Sequence, residues 1–194
     1  MSFSKLGLSQ PITDAISQLG YQKPTNIQTK AIPVILRGED LIAAAQTGTG
    51  KTASFVLPIL EKLSQGETQR KKRIRALILT PTRELAVQVE QKIQDYSQHL
   101  PLTSLAMYGG VDEQAQKQAL IEGVDILVAT PGRLIDMYGK RAVHFEEVEV
   151  LVLDEADRML DMGFIDDIHK IIDRLPTEIQ NLTLPATLTN KGSE

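Results

Sequence analysis

Cysteine and tryptophan are absent from the 194 residues. Without a thiol the chain has no disulfide, no thiolate zinc site, no Fe–S cluster and no cysteine nucleophile. Histidine is scarce as well: His99, His144 and His169 fall in no HExxH pattern, which excludes a zincin-type centre. No apolar run approaches the roughly 18 residues of a membrane span, and the opening MSFSKLGLSQ lacks the apolar stretch of a signal peptide. An excess of positive charge is also missing. Lys+Arg 21 against Asp+Glu 25 gives −4, whereas a simple nucleic-acid-binding domain is usually basic. What remains is 42% hydrophobic and 24% charged residues, near the globular average and unlike disordered, collagenous or coiled-coil chains. The length suits one domain of about 100–200 residues, with room for a small appendage. The expectation is a cytoplasmic, monomeric domain with no membrane partner.

From residue 40 onward short apolar runs alternate with amphipathic stretches, the pattern of an α/β domain with a mostly parallel central sheet flanked by helices. Strands are expected at 40–45, 75–80, 104–108, 125–130 and 149–154, several of them without polar alternation, as strands covered on both faces should be. Helices are expected at 51–63, 83–99, 111–121, 132–138 and 164–175. Residues 1–39 carry two further helices: Ser9 caps the first, with Pro11 in its opening turn, and Thr25 caps the second, which ends near Gly38. Residues 64–74 are the most linker-like stretch. Their basic cluster, running on to Arg75, is either a solvated loop or a phosphate contact.

The strand at 40–45 runs into Gln46-Thr47-Gly48-Thr49-Gly50-Lys51-Thr52 and then a helix, the context of a phosphate-binding loop. Glycines let successive backbone N–H groups turn inward as an anion nest, and the helix N-terminus adds partial positive charge. Lys51 would reach the β- and γ-phosphates, and the Thr52 hydroxyl would help hold Mg²⁺. The first glycine of the general GxxxxGK[ST] pattern is Ala45 here.

A second apolar strand, Val150 to Leu153, ends in Asp154-Glu155. Ligands of open α/β sheets bind at the carboxyl ends of strands. There Asp154 suits Mg²⁺, which keeps much of its hydration shell, and Glu155 suits the orientation or deprotonation of an attacking water.

The tetrapeptide Asp154-Glu155-Ala156-Asp157 has a chance expectation of about 0.003 in a chain of this length. Together with Ala45–Thr52 it resembles the first RecA-like domain of the DEAD-box ATP-dependent RNA helicases, with a general likeness to the bacterial RhlE-like branch. Gly20 to Gln28, with Phe3 upstream, is similar to that family's Q motif, and AQTGTGKT to its motif I, which itself lacks the first glycine. Pro81-Thr82-Arg83, Gly109-Gly110 and Thr130-Pro131-Gly132-Arg133 resemble its RNA-contacting elements. The resemblance covers nearly the whole chain. It implies a RecA-like P-loop NTPase domain over 40–194, an N-terminal helical Q-motif segment over 1–39, ATP with Mg²⁺ as cofactors, and sequence-independent binding of the RNA backbone. Adenine contacts are implied at Lys23, Gln28 and an aromatic, Tyr21 or Phe3. An amide such as Gln28 matches both the N6 donor and the N7 acceptor of the base.

Two departures qualify the implied activity. Where the family reads Ser-Ala-Thr, this chain has Pro185-Ala186-Thr187, and proline offers neither hydroxyl nor N–H. The resemblance implies that this motif contacts Asp157 and couples hydrolysis to strand separation through Asp157 and Thr187. The family also has a second RecA-like domain that supplies arginines, which the 194 residues do not contain. The expectation is therefore a truncated piece of a helicase, or alternatively a catalytically silent nucleotide- and RNA-binding module.

Overall fold

The computed structural model describes residues 2–45, 50–65, 73–110 and 112–186. Six parallel strands form one sheet in the order β1-β6-β5-β2-β4-β3, with β1 Leu41–Ile42, β2 Ala76–Leu79, β3 Ser104–Met107, β4 Ile126–Ala129, β5 Val150–Asp154 and β6 Gln180–Leu184. The runs ALIL of β2 and ILVA of β4 are buried at every residue. That is what a parallel strand between two helical layers requires.

On one face lie α1 (Gln10–Gln18), α2 (Asn26–Leu36), α3 (Lys51–Ser64) and α4 (Arg83–Tyr96), which share a core with Ile78, Val128 and Val152. The other face holds α6 (Pro131–Gly139), α7 (Ala156–Asp161) and α8 (Ile165–Ile172), packed through Leu134, Met159 and Ile168 against Leu77, Leu127 and Leu151. Helix α5 (Glu113–Glu122) joins β3 to β4. Capping follows the sequence closely. Thr25 and Gln28 form a reciprocal capping box on α2, and the Thr82 hydroxyl accepts the Leu85 N–H at the start of α4. Ser9 precedes α1 without a side-chain cap; its N–H instead donates to the buried Glu61 carboxylate of α3 at 2.6 Å.

Three elements differ from the sequence reading. Strand β1 is two residues long rather than six, because three successive alanines give an edge strand little to pack, although Ala43 and Ala45 still donate to Thr183 and Pro185 carbonyls. Strand β6 was not expected. Its polar residues Gln180, Asn181 and Thr183 hide a run that nevertheless completes the sheet between β5 and β1. The short α7 lies inside the acidic motif and begins at a left-handed residue, for which periodicity gives no signal. A 3-10 turn over Phe3–Leu6 precedes α1.

Gln180 ties the edge together. Its Nε2 donates to the carbonyls of Ile35 (3.0 Å) and Glu39 (2.7 Å), and its Oε1 accepts from Lys62. Replacing Gln180 by leucine strands the buried Ile35 carbonyl and removes a partner from the Glu39 carbonyl and from Lys62. We expect a loss of about 2–3 kcal/mol, seen by circular dichroism as a fall in Tm of about 4–12 °C.

Candidate active site

Because every strand runs the same way, the loops after β2, β3, β4, β5 and β6 open on one rim. Strand β5 delivers Asp154 to it, almost fully buried. The next residue, Glu155, is left-handed (φ 54°, ψ 51°), a conformation that costs an L-residue about 1–2 kcal/mol. From the other side α3 begins at Gly50, also left-handed (φ 82°). A Cβ there would lie 2.2 Å from Gln28 Nε2, so glycine is required twice over, by conformation and by space.

This geometry brings Lys51 between the two acids. Its Nζ is 2.9 Å from Asp154 Oδ1 and 3.4 Å from Glu155 Oε2, and all three side chains are buried. The contact to Asp154 is an ion pair without hydrogen-bond alignment, so Oδ1 is a buried oxygen with no hydrogen-bond partner. Burial pushes the Asp154 pKa above the usual carboxylate range, against the pull of the Lys51 charge. The second Glu155 oxygen accepts from Arg158 Nη1 at 3.1 Å.

One hard, buried, incompletely satisfied oxygen fits Mg²⁺. Mg²⁺ is held by one or two carboxylates plus phosphate and water, not by an all-protein cage. Thr52 lines the same cavity.

That cavity has a volume of about 610 Å³ and runs from Lys51, Asp154 and Glu155 to Tyr21. Its far wall is the Gln88, Lys92 and Asp95 face of α4, residues that the sequence analysis placed on a helix without assigning them to a site. Tyr21 is half-buried and shares a 2.7 Å hydrogen bond with the Tyr96 hydroxyl. Burial and that bond raise the Tyr96 pKa, so its phenol stays neutral. Phe3 differs: at 5% exposure it packs in the core with Leu6 and Ile32, and its ring offers no open face to a base. Gln28 differs too. Its amide is 3% exposed and already in use, with Oε1 accepting the Thr25 N–H at 2.9 Å and Nε2 donating to the Gly50 carbonyl at 3.1 Å. Lys23 is exposed and Ala45 is buried. Gln46, Thr47, Gly48, Thr49 and Thr187 lie outside the described residues.

The other expected elements sit in a row along the same rim, after adjacent strands. Pro81, Thr82 and Arg83 follow β2, Thr130, Pro131, Gly132 and Arg133 follow β4, and Gly109 and Gly110 follow β3. Arg83 is exposed, and its Nη1 lies 3.2 Å from where a Gly110 Cβ would stand. Arg133 donates to Gln116 Oε1 (3.3 Å), while Gln116 Nε2 donates to the Tyr108 carbonyl (3.3 Å). The buried Gln116 thus holds Arg133 against the end of β3, a role its place in a polar helical stretch did not signal. Thr130 precedes α6 without capping it through its side chain. Asp157 Oδ1 accepts the Ala186 N–H at 2.6 Å, so the segment carrying Pro185 reaches the acidic motif through its main chain.

The chain is similar to known proteins along most of its length. A family profile described as DEAD/DEAH box helicase matches residues 25–194. The chain is 45% identical over 186 residues to the ATP-dependent RNA helicase CshA of Listeria monocytogenes, covering 96% of this chain and 35% of that protein. It is 44% identical over 191 residues to a probable ATP-dependent RNA helicase, ddx27, of Dictyostelium discoideum, covering 98% and 24%. It is 43% identical over 194 residues to the RNA helicase CrhR of Synechocystis, covering 100% and 38%. The chain therefore spans between 24% and 38% of the length of these relatives.

Removing Lys51 leaves two neighbouring buried carboxylates without their common cation. Lys51→Ala should lose about 3–5 kcal/mol at pH 7, as when a buried pair is broken from one side. In that variant the Asp154 carboxyl, already raised by burial, loses the Lys51 charge that opposes the shift, so its folded-state pKa lies above the unfolded one. Stability should then fall as pH rises through the folded value and recover on acidification. Urea titrations between pH 5 and pH 8 check both the loss and its sign.

Proposed function

The chain belongs to the DEAD/DEAH box helicase family, and from that premise we propose that it is the ATP-binding RecA-like domain of an ATP-dependent RNA helicase. The observation that carries this reading is the meeting of Lys51, Asp154 and Glu155 within 3.4 Å, beside a row of loops bearing Arg83, Gly110 and Arg133.

The triphosphate of ATP would lie on the N-terminus of α3, where unpaired N–H groups and the helix dipole favour anions. Lys51 would turn from the carboxylates to the β- and γ-phosphates. Thr52 and Asp154 would hold Mg²⁺, which when bound neutralises charge on the phosphates. Glu155, fixed by Arg158, would orient the attacking water and take its proton. Tyr21 would stack on adenine. Gln28 would serve the base only after releasing the Gly50 carbonyl, which links adenine recognition to the phosphate loop. RNA would be held through phosphates and sugars by Arg83, Arg133, Thr82, Thr130 and the backbone at Gly109, Gly110 and Gly132, which carries no base specificity. Asp157, with Ala186 and Thr187, would pass the state of the acidic motif to its neighbours.

Residues 1–39 would serve as the adenine-side segment of the 40–194 domain. Turnover would require a second RecA-like domain, whose arginine is worth about 10³–10⁵ in rate in related NTPases. A cytoplasmic location would suit ATP and RNA as ligands.

Calorimetry with Mg²⁺ and ATP, together with phosphate release with and without RNA, tests the proposal. The 194-residue chain should bind ATP as a monomer without RNA-stimulated turnover. Lys51→Ala should abolish measurable binding. In the two-domain parent, Glu155→Gln should keep ATP and RNA binding but lose about 10²–10⁴ in kcat. Unchanged ATP affinity in Lys51→Ala would refute the assignment.

A further inference from the structure

The rim opposite the nucleotide carries a second cavity of equal size, about 610 Å³. It lies among the segments that lead into the amino ends of β5 and β6. Its floor is apolar, made by Val143, Leu175 and Pro176, and its edge carries Arg141, His144 and Arg174 against a single acid, Glu146. A shallower hollow of about 290 Å³ adjoins it at Arg141 and His144 and adds Arg73 and Ile121, the latter 66% exposed. In a chain of net charge −4, positive charge is thus gathered on apolar ground away from the phosphates. Of the basic cluster seen in the sequence, Arg75 is consumed by Glu149 and the Leu63 carbonyl, whereas Arg73 faces this hollow.

Arg141 is the telling residue. Among the described residues only two non-glycine residues have positive φ, Glu155 in the catalytic site and Arg141 (φ 59°). Arg141 follows α6 in a turn where Ala142 N–H donates to Met137 and Arg141 N–H to Tyr138, a position that favours glycine. Arg141 is exposed and pairs with no carboxylate among the described residues. The side chain forms no ion pair among the described residues while its backbone is strained, a pattern that points to a role in binding.

We propose that this groove is a docking site for an acidic peptide segment of a partner protein, with an apolar side chain on the Val143–Leu175 floor and carboxylates on Arg141, Arg174 and Arg73. The complementarity is of charge at the edge and of apolar surface beneath. Nucleic acid fits worse. The Tyr138 ring is already engaged by Phe145 (5.1 Å, interplanar 9°) and by the Arg174 guanidinium (5.5 Å), which removes it as a stacking platform for a base.

The probe is a fluorescein-labelled 12-residue peptide of alternating Glu and Leu, followed by fluorescence anisotropy with the 194-residue chain at low salt. Saturable binding should weaken by at least about tenfold in Arg141→Gly, the loss of one charge-assisted contact. The same variant relieves the strained turn and should hold or raise Tm by about 2–4 °C, which separates lost docking from lost folding. Arg174→Glu, checked for an intact Tm, should weaken binding likewise, and unlabelled single-stranded RNA should not displace the peptide. Equal affinity in Arg141→Gly overturns the proposal. So does displacement by RNA, which would place the peptide on the Arg83 and Arg133 rim, and so does loss of affinity for a labelled RNA in Arg141→Gly, which would make the groove a nucleic-acid site.

Discussion

A lysine ammonium held between two buried carboxylates is the constraint around which this domain is organised. At 2.9 Å and an effective dielectric near 20, Lys51 and Asp154 attract by about 6 kcal/mol, while withdrawing each ion from water costs several kcal/mol. The terms nearly cancel. The cluster is therefore a poised arrangement and not a rivet, and an incoming phosphate can take the lysine at small net cost. The raised Asp154 pKa, and an Oδ1 that meets Lys51 as an ion pair but without good hydrogen-bond alignment, express the same balance. The fold supplies it by ending β5 and starting α3 at the same rim, through two left-handed residues, Gly50 and Glu155.

Much of this architecture is legible in the chain because its signals are local. The runs of β2, β4 and β5 are apolar without alternation, and Thr25 and Thr82 cap their helices as their side chains predict. Since each apolar run ends in chemistry-bearing residues, an all-parallel sheet collects those ends at one rim. The five helices expected from residue 51 onward are present, with boundaries within three residues.

What was hidden depends on distant partners. Strand β6 is half polar, and only pairing with β5 and β1 makes it a strand. Phe3 looked like a base-stacking ring but finds the α1–α2 core, and Gln28 looked like a waiting amide but is taken up by Thr25 and Gly50. Gln116 and Arg158 position Arg133 and Glu155 through contacts that no spacing rule reveals. The acidic net charge of −4 is likewise a global number. The rim concentrates a few cations and backbone donors, and bulk charge says little about so small a surface.

The strand order has a bearing on how the protein is made. Strand β1, which leads into the phosphate loop, hydrogen-bonds only to β6, and the Asp40–Asn181 contact beside them closes 141 residues of chain. At about 5–20 residues per second of synthesis, that edge waits roughly 7–30 s for its partner to emerge from the ribosome. That edge strand is thus paired late, after the chain of the inner strands has been made, whereas the start of α3 is already tied to α2 through Gln28 and the Gly50 carbonyl.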